Sequence, residues 1–506
     1  MKNSTRVILN TGILYTRMAI TMCIALLSTR WILQALGTED YGIYSLTGGV
    51  IALFSFLNVS LAGATQRFIS YSIGTGEKEN IKKTFYYSIL QHLCVGIIII
   101  LLFETCGLFF LNTILDIPTG KERLATFVLH CMTASAFFTI ISVPYQAILN
   151  AHENMLLNAI LNIIESIIKL IAAIVLLKYN GNRLELYSII MMLTCIMNLI
   201  VMRIYCKQKY IETQISITQI TDKHLFIKML SFGGWNLIGS ICSMSKGQGI
   251  AILLNTFYGV TINTAYGIAN QVKGQLNFFS LSITSAIRPQ MIKSEGAGDR
   301  DRLLRLAETT CKCTFILLSI FAIPVIINTN FILLLWLKNV PQYTVSFCQY
   351  IILMALIEQL SSGLFIVIDG VGKLKWPQLT IGFMHLSVLI GGYIFLYWGY
   401  PPYSIFIVAT IEEIIAFILR CHFCNKLGKM DIMSFLKSTI SPSVISICTI
   451  CAITLYISNI ISSPVISFFT TTILSTILIC LCTYNIILND NERIIIKQTL
   501  TKKLQR

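Results

Sequence analysis

The chain contains a series of long, continuous apolar segments, and this feature limits its fold more than any other. A helix needs about 20 mostly apolar residues to cross a bilayer, whereas strands of a membrane barrel are about ten residues long and alternate in polarity. The segments therefore predict an all-α polytopic membrane protein with about 14 transmembrane helices. They are residues 8–35, 43–66, 84–113, 124–149, 155–178, 185–206, 229–256, 262–290, 306–328, 344–370, 377–398, 403–424, 440–460 and 465–488.

The composition excludes several classes of soluble protein. Charged residues make up 12% of the 506 residues, about half the usual share in a soluble domain. The mean hydropathy is +0.75. These values argue against a soluble enzyme, a disordered chain and a nucleic-acid-binding domain. The lipid bilayer is the expected partner, and no nucleic acid is expected to bind.

The basic residues between the segments predict the orientation. With a cytoplasmic N-terminus, 27 Lys and Arg residues fall on the inner side and five on the outer side. Such an asymmetry is the positive-inside pattern, and it predicts an even number of spans with both termini in the cytoplasm. It also accounts for most of the net charge of +15. The outer loops are short, which leaves no room for a catalytic domain outside the membrane.

The sequence repeats itself at an offset of 222 residues. Residues 37–78 align without a gap to residues 259–300, with nine identical pairs in 42 positions where roughly three would occur by chance. The offset contains six spans, so the copies have the same orientation, and a substrate path is expected between two six-helix lobes. The predicted divisions are an N-lobe (1–206, spans 1–6), a cytoplasmic linker (207–224), a C-lobe (225–426, spans 7–12) and an appended pair of spans with a basic tail (427–506).

Three cations lie within the predicted spans. Arg17, Lys246 and Lys273 belong to the first two spans of each lobe, and Asn270 and Asn277 share a helix face with Lys273. Intramembrane charges are costly and mark functional sites by default, so these side chains predict a shared cationic cavity. The alternative is that Arg17 and Lys273 extend to lipid headgroups.

Other charged residues allow two interpretations each. Glu358, Glu412 and Glu413 lie in spans without an acid–base partner nearby in sequence. They would either balance the cavity cations or carry a coupling ion, Na⁺ or H⁺. Arg67 follows the second span. It would either help to set the orientation of that span or line the mouth of the cavity.

No catalytic or metal-binding motif is present in the sequence. The six His residues are scattered, and there is no H-E-x-x-H, G-x-S-x-G or P-loop pattern. Cys421 and Cys424 form a C-x-x-C pair, but no second pair at metal-ligand spacing accompanies it. The sequence therefore predicts no enzyme activity, no metal and no cofactor beyond a coupling ion or the membrane potential.

Several stretches resemble a known family. They are Asn10–Arg17, the run A-L-G at 35–37 with D-Y-G-I-Y at 40–44, G-G-V at 48–50, F-S-F-L-N at 54–58, A-T-Q-R-F at 64–68, Trp235–Pro289 and Ile332–Pro341. Together they resemble the polysaccharide-biosynthesis membrane proteins, the O-antigen-type lipid-linked oligosaccharide flippases of the multidrug/oligosaccharidyl-lipid/polysaccharide (MOP) exporter superfamily. The likeness extends through about residue 430.

The resemblance implies two six-helix lobes, alternating access and a bacterial inner-membrane location. It implies that a polyprenyl-pyrophosphate-linked oligosaccharide is the substrate and that Arg17, Lys246 and Lys273 meet its pyrophosphate. Lysine at two of these positions provides a point charge instead of the bidentate geometry of arginine. Other polysaccharide assembly proteins are candidate partners.

Two alternatives to a flippase remain open. One is a cation-coupled multidrug exporter of the same architecture, whose site should be acidic. Span 1 carries no acid here, although Glu358 and Glu412 keep this alternative open. The other is a membrane-embedded glycan polymerase or glycosyltransferase, which would need larger loops outside the membrane.

Overall fold

The computed structural model describes residues 3–52, 55–113, 120–214, 222–337, 339–489 and 492–494. All regular structure in these ranges is helical. The helices of the first half are α1 (Asn3–Ala52), α2 (Ser55–Thr75), α3 (Lys78–Leu102), α4 (Leu108–Thr113), α5 (Glu122–Ala151), α6 (Met155–Lys178) and α7 (Arg183–Lys209). Those of the second half are α8 (Lys223–Tyr258), α9 (Val260–Gly296), α10 (Arg300–Ile327), α11 (Thr329–Leu337), α12 (Thr344–Gln359), α13 (Ser362–Val371), α14 (Lys375–Tyr397), α15 (Ser404–Gly428), α16 (Ile432–Phe435), α17 (Ser441–Ile460) and α18 (Pro464–Cys482).

The helices agree with an all-α membrane protein. Among the described residues, ten helices are long and apolar enough to span a bilayer, and α12 with α13 forms an eleventh span bent by 46°. The three remaining predicted spans fall on the second half of α1 with α2, on α9 and on α15. These helices carry more polar residues, including two acids in α15. The structure is therefore consistent with about 14 spans, of which 11 meet the criterion of length and apolarity.

Glycines at matched positions show the internal repeat in the backbone. Gly37, which interrupts α1, has φ 77°, and Gly259, between α8 and α9, has φ 79°. Gly76 and Gly298 follow α2 and α9, and both have φ 76°. Both pairs are 222 residues apart. A positive φ at these values is costly for residues with a side chain, so both copies require glycine at the same two breaks.

The described chain divides into two compact units. The first comprises residues 1–240 with 292–298, and the second comprises 241–291 with 299–506. One core of the first unit surrounds Phe85 and Ile148. One core of the second unit surrounds Phe347 and Phe406. The lobe boundaries expected from the sequence remain predictions.

The appended helices α17 and α18 pack on α10 within the second unit. Their contact includes buried polar groups as well as apolar side chains. Asn328, which follows α10, donates a hydrogen bond to Thr471 Oγ1 at 2.9 Å. Ser467 Oγ lies 3.4 Å from Asn328 Oδ1. Because polar groups in a membrane protein need internal partners, these bonds define how α18 fits against the rest of the unit.

A short turn after α7 is anchored to the end of α5 in the first unit. His152 hydrogen-bonds Glu212, and its ring stacks on Tyr210 with a centroid separation of 4.3 Å. The hydrogen bond from His152 holds the pKa of the Glu212 carboxyl below its usual value, despite partial burial. This turn lies outside the apolar spans, within the predicted cytoplasmic linker (207–224).

The pKa of Glu212 predicts how pH affects this anchor. A carboxyl whose pKa is lowered on folding contributes stability above its unfolded pKa of about 4.3 and loses it as the pH falls through the lower folded pKa. We expect hydrogen exchange of residues 210–214 in nanodiscs, corrected for intrinsic rates, to stay slow at neutral pH and to accelerate below about pH 4. Glu212→Gln should remove this acid step, and an unchanged step in that variant would contradict the assignment.

Candidate functional site

The second unit contains a group of charged side chains inside its predicted spans, called the charge cluster here. The cluster draws on five helices, α8, α9, α12, α14 and α15. Its three carboxylates face two lysines, one arginine and one imidazole. The members are Lys246, Lys273, Glu358, His385, Glu412, Glu413 and Arg420.

Lys246 lies at the centre of the cluster. Its ammonium group contacts the carboxylate of Glu412 and lies 3.9 Å from Glu413 Oε2. On the other side of Glu412, His385 Nδ1 lies 3.0 Å from Oε1. Lys246 is 9% exposed and Glu412 is 3% exposed. A buried charge is tolerated only when it is paired and hydrogen-bonded, and here both conditions are met.

Arg420 completes the pairing of the second acid in α15. Its Nη1 donates hydrogen bonds to Glu413 Oε1 and to Ser361 Oγ, both at 2.8 Å. Arg420 follows Glu413 by seven residues, or two helical turns, so both side chains lie on one face. Glu413 is thereby shared between Arg420 and Lys246.

Lys273 forms a more accessible part of the cluster. Its Nζ lies 3.4 Å from Glu358 Oε2, and the two side chains are 28% and 44% exposed. On the same helix, Asn270 is exposed. The Asn277 Oδ1 atom is buried without a hydrogen-bond partner among the described residues. This face of α9 therefore combines a cation with two amides.

Arg17 differs from the lysines. It lies on α1 in the first unit and is partly buried. No hydrogen bond or ion pair to Arg17 occurs within the part of the chain that the structure describes. The neighbouring polar residues of its helix have other partners, since Asn10 Nδ2 donates to the carbonyl of Glu153 at 3.0 Å and Thr21 Oγ1 donates to that of Met18.

Arg67 is enclosed by aromatic rings in the first unit. The guanidinium lies 4.8 Å from the ring centres of Phe68 and Tyr71 and 5.4 Å from that of Phe232. Arg67 is 5% exposed. Cation–π contacts of this kind stabilise a desolvated arginine, so the surroundings of Arg67 are those of a packed residue in this conformation.

Sequence reasoning missed two members of the charge cluster. The seven-residue spacing of Arg420 from Glu413 is a usable signal, although Arg420 also fits the basic residues at the inner end of its span. His385 has no comparable signal, because its partner Glu412 lies 27 residues away on another helix. Glu358, Glu412 and Glu413 each lie beside a cation in this structure, and both interpretations given to these acids remain predictions.

Comparisons with known proteins agree with this architecture. A model of the polysaccharide biosynthesis protein family matches residues 7–295. Over 311 residues, the chain is 21% identical to the uncharacterized membrane protein EpsK of Bacillus subtilis (strain 168). That match covers 60% of each protein, so the chain spans about 60% of the length of this relative.

Solved transporter structures share the fold. A multidrug resistance MATE family transporter of the MOP superfamily, in an outward-facing conformation, matches with a TM-score of 0.71 and 15% identity, covering 87% of this chain and 98% of the other. A MOP superfamily transporter from Pyrococcus furiosus, whose binding pocket has reverse polarity suggesting a different function, matches with a TM-score of 0.71 and 14% identity. This match covers 86% of this chain and 97% of the other. The Vibrio cholerae MATE transporter VcmN in its bent form matches with a TM-score of 0.69 and 18% identity, covering 84% of this chain and 97% of the other. The chain is thus a multi-pass membrane protein with the MATE transporter fold, and it belongs to the polysaccharide biosynthesis protein family.

Proposed function

We propose that the protein is a flippase that moves a polyprenyl-pyrophosphate-linked oligosaccharide across the bacterial inner membrane by alternating access. The oligosaccharide would be a repeat unit of O-antigen, capsule or exopolysaccharide. Membership of the polysaccharide biosynthesis protein family and the transporter fold both support this proposal. The distribution of basic residues favours cytoplasmic termini.

The observation that carries the proposal is the contrast between Arg17 and the lysines of the second unit. Lys246 and Lys273 each have a carboxylate partner, whereas Arg17 has none among the described residues. A guanidinium in a spanning helix is costly without a counter-charge. A pyrophosphate supplies that charge, and arginine binds phosphate oxygens in a bidentate manner.

The second unit has polar groups of its own that suit such a substrate. Lys273 is the more accessible lysine of the charge cluster, and Asn270 and Asn277 provide neutral hydrogen-bonding groups on the same helix. The amides suit hydroxyl groups of a glycan, and Lys273 suits the anionic head. Lys246 is enclosed by acids and orders the cluster. Arg67 would contact a substrate only after its aromatic surroundings open.

The membrane potential would favour outward movement of such a substrate. With the cell interior negative, outward movement of an anion is favoured by about 2.3 kcal/mol per charge per 100 mV. Coupling to Na⁺ or H⁺ would use the acids Glu358, Glu412 and Glu413, whose charges are balanced by cations in this conformation.

Replacing Arg17 tests the proposal. A hydrogen bond to a charged group contributes about 1.5–3 kcal/mol, so Arg17→Ala should slow translocation roughly 10- to 100-fold. Arg17→Lys should retain part of the activity. The measurement is transfer of a fluorescent undecaprenyl-pyrophosphate oligosaccharide in proteoliposomes, with protein amounts matched. Arg30→Ala is the control, because Arg30 lies on the same helix with an exposed side chain. Equal rates for Arg17→Ala and wild type would exclude the proposed contact.

The multidrug exporter remains the second candidate. The carboxylate of Glu358 is 44% exposed, and one structural relative is a multidrug resistance transporter. An exporter predicts ion-driven efflux of a cationic dye that is lost in Glu358→Gln. Dye efflux of this kind, together with no oligosaccharide translocation by wild type, would favour the exporter.

A further inference from the structure

The two repeat copies meet at a pair of matched glycines. Gly74 lies near the end of α2, and Gly296 ends α9. A Cβ atom on Gly74 would overlap the backbone oxygen of Lys293, and one on Gly296 would overlap that of Tyr71 and lie 3.2 Å from the Cα of Gly74. Gly74 and Gly296 are 222 residues apart, as are Tyr71 and Lys293. The contact is therefore reciprocal, and glycine is required on both sides.

A salt bridge holds the same end of α9. Lys293 Nζ lies 2.7 Å from Glu153 Oε1, and the carboxylate is 7% exposed. Glu153 is in the turn between α5 and α6, with φ 60° in the left-handed region. Its carbonyl also accepts the hydrogen bond from Asn10 on α1. One turn thereby connects α1, α5, α6 and the end of α9, all within the first unit.

We propose that these contacts form a cytoplasmic latch, in which the end of α9 is clamped to α2 and to the α5–α6 turn and is released once in each transport cycle. The proposal rests on the alternating-access function above. The latch residues follow the apolar part of their helices on the side rich in basic residues, which places them at the cytoplasmic face. Residues 260–291 of α9 belong to the second unit and its last turns to the first, so release of this end moves a helix that both units share.

The chemistry of the latch suits repeated opening. Two glycines bring backbones into contact without burying large side chains, so separation exposes little apolar surface. The Lys293 side chain is 22% exposed, so water solvates its ammonium group when the ion pair separates. The latch contacts therefore require a specific backbone fit, but they contribute only a modest free energy to the closed state.

Alanine substitutions test the glycine contact directly. Gly74→Ala and Gly296→Ala each add a methyl group that the facing backbone cannot accommodate, so both should hold the latch open. Gly234→Ala is the matched control, because the space around Gly234 in the first unit is open. The reporter is a cysteine introduced at Ser72, a buried residue two positions before Gly74. A membrane-impermeant maleimide is added to inside-out vesicles, and label at position 72 is quantified by peptide mass spectrometry.

A cost of about 1 kcal/mol to the closed state should raise the labelling rate roughly fivefold in both alanine variants. The Gly234→Ala control should label at the wild-type rate. Equal labelling of all four proteins would overturn the latch.

Charge reversal provides a second test that does not depend on the glycines. Glu153→Lys and Lys293→Glu should each increase labelling at position 72, because each places like charges together. The double variant restores an ion pair in the opposite sense and should return labelling towards the wild-type rate. Double-variant labelling as fast as that of the single variants would overturn the proposal.

The labelling assay requires no substrate, so it separates the latch from the proposed cargo. A latch that responds as expected, together with failed oligosaccharide translocation, would reject the substrate and keep the latch. Normal translocation with unresponsive labelling would reject the latch and keep the substrate.

Discussion

Glu412→Gln is expected to destabilise the protein by about 3 kcal/mol, because it removes one partner of a buried ion pair. Lys246 is 9% exposed and would lose its direct carboxylate contact, while His385 would lose its charged acceptor. The expected loss is at the lower end of the range for buried pairs, since Glu413 Oε2 remains 3.9 Å from the ammonium group.

Combining Glu412→Gln with Lys246→Met should recover most of this loss. Replacing both members of a buried pair by neutral groups leaves no uncompensated charge. The measurement is thermal unfolding of the detergent-solubilised protein at pH 7, with all variants compared under the same conditions.

Glu165→Gln is the matched control for this experiment. Glu165 pairs with Lys169 one turn away at 2.8 Å, but both side chains are more than 30% exposed, and exposed pairs contribute about 0.2–1 kcal/mol. If Glu412→Gln destabilised the protein no more than Glu165→Gln, the charge cluster would not be a buried, tightly coupled unit.

A second large loss of stability is expected where the segment after α18 pairs with α10. Lys312 on α10 is 2% exposed, and its Nζ lies 3.3 Å from Glu492 Oε2. The same carboxylate accepts hydrogen bonds from Thr309 Oγ1 at 3.3 Å and from the backbone N–H of Asn489 at 2.9 Å. Glu492→Ala should therefore cost about 3 kcal/mol, because it removes the ion-pair partner of a buried ammonium group. Glu308, one turn away on α10, then remains as an acidic neighbour among the described residues.

Lys312→Met provides the decisive comparison. A methionine fills a similar volume without charge, so the single variant should be close to wild type in thermal stability. It should also suppress the loss caused by Glu492→Ala, or by a truncation after residue 488. Failure of Lys312→Met to rescue either variant would show that the segment 489–494 stabilises the protein by some means other than this ion pair.

The fold could be predicted in large part because its causes are local. Each predicted span depends on about 20 consecutive apolar residues. All but the 43–66 span, which crosses from α1 to α2, begin and end within six residues of the ends of a helix or helix pair, or of the Gly37 break in α1. The repeat was detectable because Gly37 and Gly259, like Gly76 and Gly298, occupy backbone conformations that strongly favour glycine. The candidate cations were visible because a charge in an apolar segment is exceptional.

The partners of those cations could not be predicted. Lys246 and Glu412 are 166 residues apart, and nothing in the sequence around either residue indicates that the other is its partner. The sequence suggested a cationic cavity because it showed three unpaired charges, whereas the structure pairs two of them with acids from other helices. The aromatic surroundings of Arg67 depend likewise on Phe232 from a distant helix.

The amino-acid sequence by itself determined the class of this protein, its helices and its duplicated organisation, because hydrophobic length, loop charge and glycine positions act through neighbouring residues. Only the tertiary structure decided which of the described charges pair with each other and where the two repeat copies touch. These properties depend on distances between helices far apart in the chain, and electrostatic pairing and backbone contact act only over a few ångströms.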